Sequence, residues 1–159
     1  MADKPIKILL IEDSAFATRH TQTMMAEAKS SQFDTELECA DTLSKGLKRL
    51  AEGGVDIILL DLTLPDSDAL QTFMSVYAKV PKTPIVVMSG IEDDTLAMKA
   101  VQQGAQDYLI KGQVDSNLLK RSILYAIERK RVDEELREYR EHLEEKVKER
   151  THHLTERVK

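Results

Sequence analysis

A chain of 159 residues that is 42% hydrophobic can build one packed domain with an appendage, which excludes wholesale disorder. A formal net charge of -5, no Trp and few aromatics exclude general nucleic-acid binding by phosphate neutralisation or base stacking. The single Cys39 excludes an internal disulfide, and no apolar run approaches the roughly 18 residues of a membrane span, so a reducing, cytoplasmic setting without membrane contact is expected.

Met1 to Pro5 passes directly into a strand pattern and shows no signal peptide. Ile6 to Ile11 reads as the first strand, ending in Glu12 and Asp13. Ser14 is placed to cap a helix running to about Ala28, with an apolar stripe of Phe16, Met24 and nearby alanines. Thr35 to Cys39 alternates polar and apolar, which suits an edge strand. Thr42 caps a second helix carrying Leu43, Leu47 and Leu50, and Gly53-Gly54 stops it.

Val55 to Asp66 is the stretch around which the rest is organised. Ile57-Ile58-Leu59-Leu60 is apolar without alternation, as in a strand buried on both faces of a parallel sheet. It runs straight into Asp61, and Pro65 ends it. Asp68 then caps a helix with Leu70, Phe73, Met74 and Tyr77. Ile85 to Met88 is another fully apolar strand, ending at Ser89-Gly90. Asp93 or Asp94 caps a short helix through Met98 and Val101, closed by Gly104. Tyr108 to Ile110 is the fifth strand, and Lys111-Gly112 follows.

Five strand–helix pairs with short connections predict a parallel sheet with helices on both faces. The last helix starts at Ser116 and meets no Gly or Pro, so it could reach the final residue, about 66 Å away at 1.5 Å per residue. Residues 131–159 hold eight Lys/Arg and nine Asp/Glu. Val132, Leu136, Tyr139, Leu143, Val147, Leu154 and Val158 form a narrow seam whose first steps are four, three and four, the coiled-coil rhythm. A further step of four at Val147 is a stutter. Such an arm needs a partner helix, most simply a second copy.

Parallel strands bring their carboxyl ends to one rim, where open α/β sheets bind ligands. Glu12, Asp13, Asp61, Ser89 and Lys111 all fall there. Three converging carboxylates repel one another unless a hard cation joins them. Mg2+ takes such oxygen ligands and is commonly shared with phosphate. The Thr63 carbonyl could add a ligand. An aspartate nucleophile, a metal and a lysine suit phosphoryl transfer to Asp61.

Ile11-Glu12-Asp13-Ser14, Asp61-Leu62-Thr63-Leu64-Pro65-Asp66, Ser89-Gly90 and Asp107-Tyr108-Leu109-Ile110-Lys111 together resemble the motifs of response-regulator receiver domains. The resemblance covers about residues 5–130. It implies a flavodoxin-like sheet of order 2-1-3-4-5. It also implies Asp61 as acceptor of phosphate from the phosphohistidine of a histidine kinase or phosphotransfer domain. Mg2+ would be held by Asp13, Asp61 and the Thr63 carbonyl, with Glu12 acting mainly through water. Ser89 and Tyr108 match the family's switch pair. Ala69 stands where Gly is usual, and Gly112 where Pro is usual. Residues 131–159 resemble coiled-coil linkers of multidomain or hybrid histidine kinases, so a longer parent protein and a homodimer through this helix are expected. An aspartate-nucleophile phosphatase and a purely structural dimerisation module are the competing readings. The first usually has a second Asp two residues after the nucleophile, where this chain has Thr63.

Overall fold

The computed structural model describes residues 4–64, 66–90 and 94–158, and the side chains of these except Asp94 and residues 153–158. The strands are β1 (Ile6–Ile11), β2 (Thr35–Ala40), β3 (Ile57–Asp61), β4 (Ile85–Ser89) and β5 (Asp107–Ile110). They alternate with α1 (Ala15–Ala28), α2 (Leu43–Leu50), α3 (Ala69–Lys79), α4 (Asp94–Gln103) and α5 (Ser116–Val158). All strands are parallel, in the order β2-β1-β3-β4-β5. This is the expected flavodoxin-like sheet with a long C-terminal helix. The strand end expected at Pro65, the cap expected from the side chain of Asp93 or Asp94, and the side chains of Leu154 and Val158 lie outside the described residues.

Strand residues alternate between the faces, so each central strand feeds two cores. Ile58 and Leu60 pack with Phe73, Val76, Ala97 and Ala100 on the side of α2, α3 and α4. Ile57 and Leu59 pack with Met24, Met25, Leu119 and Ile123 on the side of α1 and α5. Every residue of β3 and β4 is buried, whereas β2, at the edge, alternates. The apolar run and the alternating run differ because one strand is covered on both faces and the other is not.

Three helix faces differ from expectation. Phe16 is 81% exposed and stacks on His20 at 6.4 Å between ring centroids, while Thr21, Met24 and Met25 carry the buried side of α1. In α3, Thr72, Phe73 and Val76 face inward and Met74 does not. In α4, Met98 and Val101 are exposed, and Ala97 and Ala100 are buried. Both α4 pairs are three residues apart, so spacing alone fits either face. The alanines win because small side chains let the helix lie close to the sheet. Phe73→Ala is expected to cost about 3–5 kcal/mol in urea unfolding, and Met98→Ala less than about 0.5 kcal/mol.

Candidate functional site

The side-chain alternation also decides which rim residues meet. Glu12 continues the Ile8 and Leu10 side of β1, Asp61 the Leu59 side of β3, and Lys111 the Leu109 side of β5. All three therefore turn to the α1/α5 side of the rim. Ser89 and Tyr108 have the opposite parity and belong to the α3/α4 side. The ladder carries on past the strand ends, with Glu12 N donating to Ala40 O at 2.9 Å and Lys111 N to Ser89 O at 2.8 Å.

Lys111 Nζ donates to Glu12 Oε1 at 2.6 Å and lies 3.2 Å from Asp61 Oδ2. The Glu12 and Asp61 side chains are buried, at 0% and 1% exposure, and Lys111 keeps one flank in water. Asp61 Oδ1 accepts from Thr63 N at 3.0 Å and from Thr63 Oγ1 at 2.8 Å. Asp13 is exposed at the mouth, and one oxygen each from Glu12, Asp13 and Asp61 lie within 4.8 Å of one another. Glu12 Oε2, Asp61 Oδ2 and Ser89 Oγ are buried without a hydrogen-bond partner among the described residues. The approach of Lys111 to Asp61 Oδ2 is thus an ion-pair contact lacking hydrogen-bond alignment.

Burial, reinforced by neighbouring Asp61 and only partly offset by Lys111, pushes Glu12 up to about 8. Burial also pushes Asp61 upward, but the neighbouring Glu12 carboxyl and the hydrogen bonds from Thr63, with the Lys111 charge, outweigh it and hold Asp61 below its ordinary value. Burial would lower Lys111; its two carboxylate neighbours raise it instead. One proton and one ammonium thus divide the repulsion between two buried carboxylates. Orphaned oxygens beside an exposed third carboxylate make a donor set that fits a hard dication.

Two features were not anticipated. The Thr63 hydroxyl, as well as its backbone, fixes Asp61; Thr two residues after Asp was the available signal, since such side chains bond locally. Asp66 leaves the site altogether. It accepts from Leu43 N at 3.0 Å and Ser44 N at 3.2 Å, and so joins Thr42 in capping α2. Tyr108 is half-buried against the α3/α4 core. Gly112 has φ +89°, a conformation closed to proline, and a Cβ there would meet nothing within 4 Å. The departure from the resembled motif therefore matches the local backbone.

A model of the response regulator receiver domain matches residues 8–123. A chemotaxis protein CheY of Listeria monocytogenes is 26% identical over 106 residues, which is 67% of this chain and 86% of that protein. A protein-glutamate methylesterase/protein-glutamine glutaminase of Rhodopseudomonas palustris is 32% identical over 121 residues, 73% of this chain but 31% of that protein. Among solved structures, a receiver domain protein from Clostridium thermocellum superposes with a TM-score of 0.70, covering 80% of this chain and 98% of its own at 23% identity.

Proposed function

We propose, for a chain that belongs to the response regulator receiver domain family of two-component systems, that Asp61 is the phosphoryl acceptor. Receiver domains in general take a phosphoryl group on an aspartate and bind Mg2+ in an acidic pocket. The donor would be a phosphohistidine on a histidine kinase or phosphotransfer domain. The observation that carries the reading is the buried Asp61 Oδ2, without a hydrogen-bond partner among the described residues and 3.2 Å from Lys111 Nζ.

Asp61 is held deprotonated, so nucleophilic attack needs no base. Thr63 fixes Oδ1 and leaves Oδ2 with its lone pairs. Oδ2 forms the new O–P bond as the donor's N–P bond breaks. The electron pair of that bond returns to the ring nitrogen, and the donor histidine, protonated on its other nitrogen, leaves as neutral imidazole. Lys111 balances charge on the phosphoryl oxygens. Mg2+, held by Asp13, Asp61 and the Thr63 carbonyl with Glu12 acting through water, would supply the remaining neutralisation. Ser89 Oγ, buried and unpartnered among the described residues, would turn toward the new anion, and Tyr108 would follow inward.

The output would be a population shift of the face formed by α4, β5 and α5. We take residues 5–130 as the receiver and 131–159 as an arm that pairs with a second copy. Among the described residues no helix is long and apolar enough to cross a membrane. No observation favours a phosphatase, since Thr63 donates to the nucleophile from the place of a second acid. The test is beryllofluoride with Mg2+, followed by backbone NMR. Shifts at Ser89, Tyr108 and along α4, β5 and α5 are expected; an unchanged spectrum would overturn the switch.

Metal and proton compete at Glu12. Between its ordinary 4.5 and about 8 the folded chain holds a proton that the unfolded chain lacks, so metal-free stability falls as pH rises through that window. The depressed Asp61 acts oppositely, adding stability that is lost as pH falls below its ordinary range. A dication that replaces the Glu12 proton binds better as pH rises. The rise in Tm on adding Mg2+ is therefore expected to be larger at a pH near the top of the window than near its foot, measured by calorimetry.

A further inference from the structure

We infer that Tyr77 and the turn between α4 and β5 form a joint that grips the arm as far as Glu134 and passes a shift of α4 into it. The grip stands on contacts alone, and only the passing of a shift rests on the switch proposed above.

Three elements meet at the joint. Tyr77, in the last turn of α3, packs on the fully buried Phe73 with 5.7 Å between ring centroids. The turn after α4 lies against the Tyr77 ring, since a Cβ at Gly104 would stand 2.8 Å from Tyr77 Cε2. The arm closes the third side. Lys130 Nζ lies 5.6 Å from the Tyr77 ring centroid, within cation–π range, and 3.9 Å from Glu134 Oε1. Arg129 Nη1, one residue earlier, donates to Gln106 O at 3.1 Å. Gln106 N in turn donates to Ile85 O at 2.8 Å, so the same turn is tied to the start of β4.

Exposure marks where the grip ends. The Lys130 and Glu134 side chains are 12% and 20% exposed, against 53% and 64% for Arg131 and Glu135. From Glu135 to His152 every side chain is exposed. A long charged side chain gives up water where its stem covers apolar surface and its charge is met. Ile127, Lys130 and Glu134 continue the inner stripe of Ile123 and Ala126 at helical spacing, so the stripe runs four residues past Lys130.

The turn 104–106 is the member common to both sides. It ends α4 and leads into β5, and it meets the arm directly at Arg129 and indirectly through Tyr77. A displacement of the end of α4 therefore presses on the arm at two adjacent residues. From Ser116 onward α5 has no Gly or Pro, the usual causes of a sharp kink, so a tilt set at Arg129 and Lys130 is carried along the helix.

The test uses the full chain with Tyr77→Leu, Lys130→Met and Arg129→Gln. Leucine keeps apolar bulk but loses the ring face, and methionine keeps the Lys130 stem but loses its charge. Tyr77→Phe keeps the ring and is the conservative control. In metal-free protein, amide exchange of residues 127–134 is expected to quicken several-fold in the first three variants and not in Tyr77→Phe. Unchanged exchange there in all three would overturn the grip. Equal quickening in β4 and β5 of Lys130→Met, which leaves the core intact, would overturn it as well. With beryllofluoride and Mg2+, NMR shifts are expected at Ser89 and along α4 both in the unaltered chain and in a chain carrying Arg129→Gln with Lys130→Met. The response of residues 131–134 is expected to shrink in the double variant, and an undiminished response there would overturn the relay. No shift at Ser89 in the unaltered chain would overturn the switch and the relay with it, while the exchange rates still decide the grip.

Discussion

An Asp61→Asn protein is expected to take up no phosphoryl group from acetyl phosphate, with incorporation at background under conditions that load the unaltered chain. The amide has no anionic oxygen for attack on phosphorus, and it removes one carboxylate from the metal's donor set. The loss is chemical rather than structural. Asparagine keeps an oxygen for the two Thr63 donors, and Lys111 keeps Glu12 at 2.6 Å. Urea unfolding is therefore expected to move by no more than about 1 kcal/mol. Intact-mass measurement of phosphoryl uptake beside a denaturation curve separates the two effects. Uptake equal to that of the unaltered chain would show that the phosphoryl group goes elsewhere.

Lys111→Met should carry a large cost in stability. The ammonium is the one cation in contact with Glu12 and Asp61 among the described residues, and both carboxyls are buried. Removing one partner of a buried ionic cluster costs about 3–5 kcal/mol. Glu12 can hold a proton, which relieves part of the repulsion, so about 3 kcal/mol is expected in metal-free protein near neutral pH. The loss should grow as pH rises through about 8 and Glu12 ionises. Mg2+ should return part of it, because a dication can take the place of the ammonium between the carboxylates. A Lys111→Met protein as stable as the original at high pH without metal would mean that the cluster is relieved by other means.

Much of this arrangement is legible in the sequence. Fully apolar runs at Ile57–Leu60 and Ile85–Met88 mark strands covered on both sides, and the alternating Thr35–Cys39 marks the edge. Strict strand–helix alternation then fixes a parallel sheet whose carboxyl ends share a rim, which brings Asp61 and Lys111 to one place. Helix faces were harder. On α4 the small Ala97 and Ala100 take the inner side, and the bulkier Met98 and Val101 do not. Phe16 belongs to the apolar stripe read for α1, yet it lies exposed against His20. Side-chain bonding escaped for a different cause. The Glu12–Lys111 bond joins residues 99 apart, and Asp66 reaches 23 residues back to Leu43. Periodicity reports which face a residue takes, not which atom it meets.

Part of Tyr108's behaviour follows from parity. Ser89 and Tyr108 lie on the α3/α4 side of the sheet, while Asp61 and Lys111 face α1 and α5. A change in anionic charge at Asp61 must therefore cross the rim before it reaches α4. Ser89 is placed for that crossing, since Lys111 N is bonded to Ser89 O at 2.8 Å. The carboxylate cluster on one face and helix packing on the other are thus joined through the ends of β4 and β5.

The most direct measurement is to load the chain from a phosphohistidine donor with Mg2+, reduce the product with borohydride, and sequence the peptides. An acyl phosphate on Asp61 is converted to homoserine at that position, and that is the expected result. Homoserine at Asp13 or another acid, or phosphate retained on a histidine with position 61 unaltered, would contradict the account.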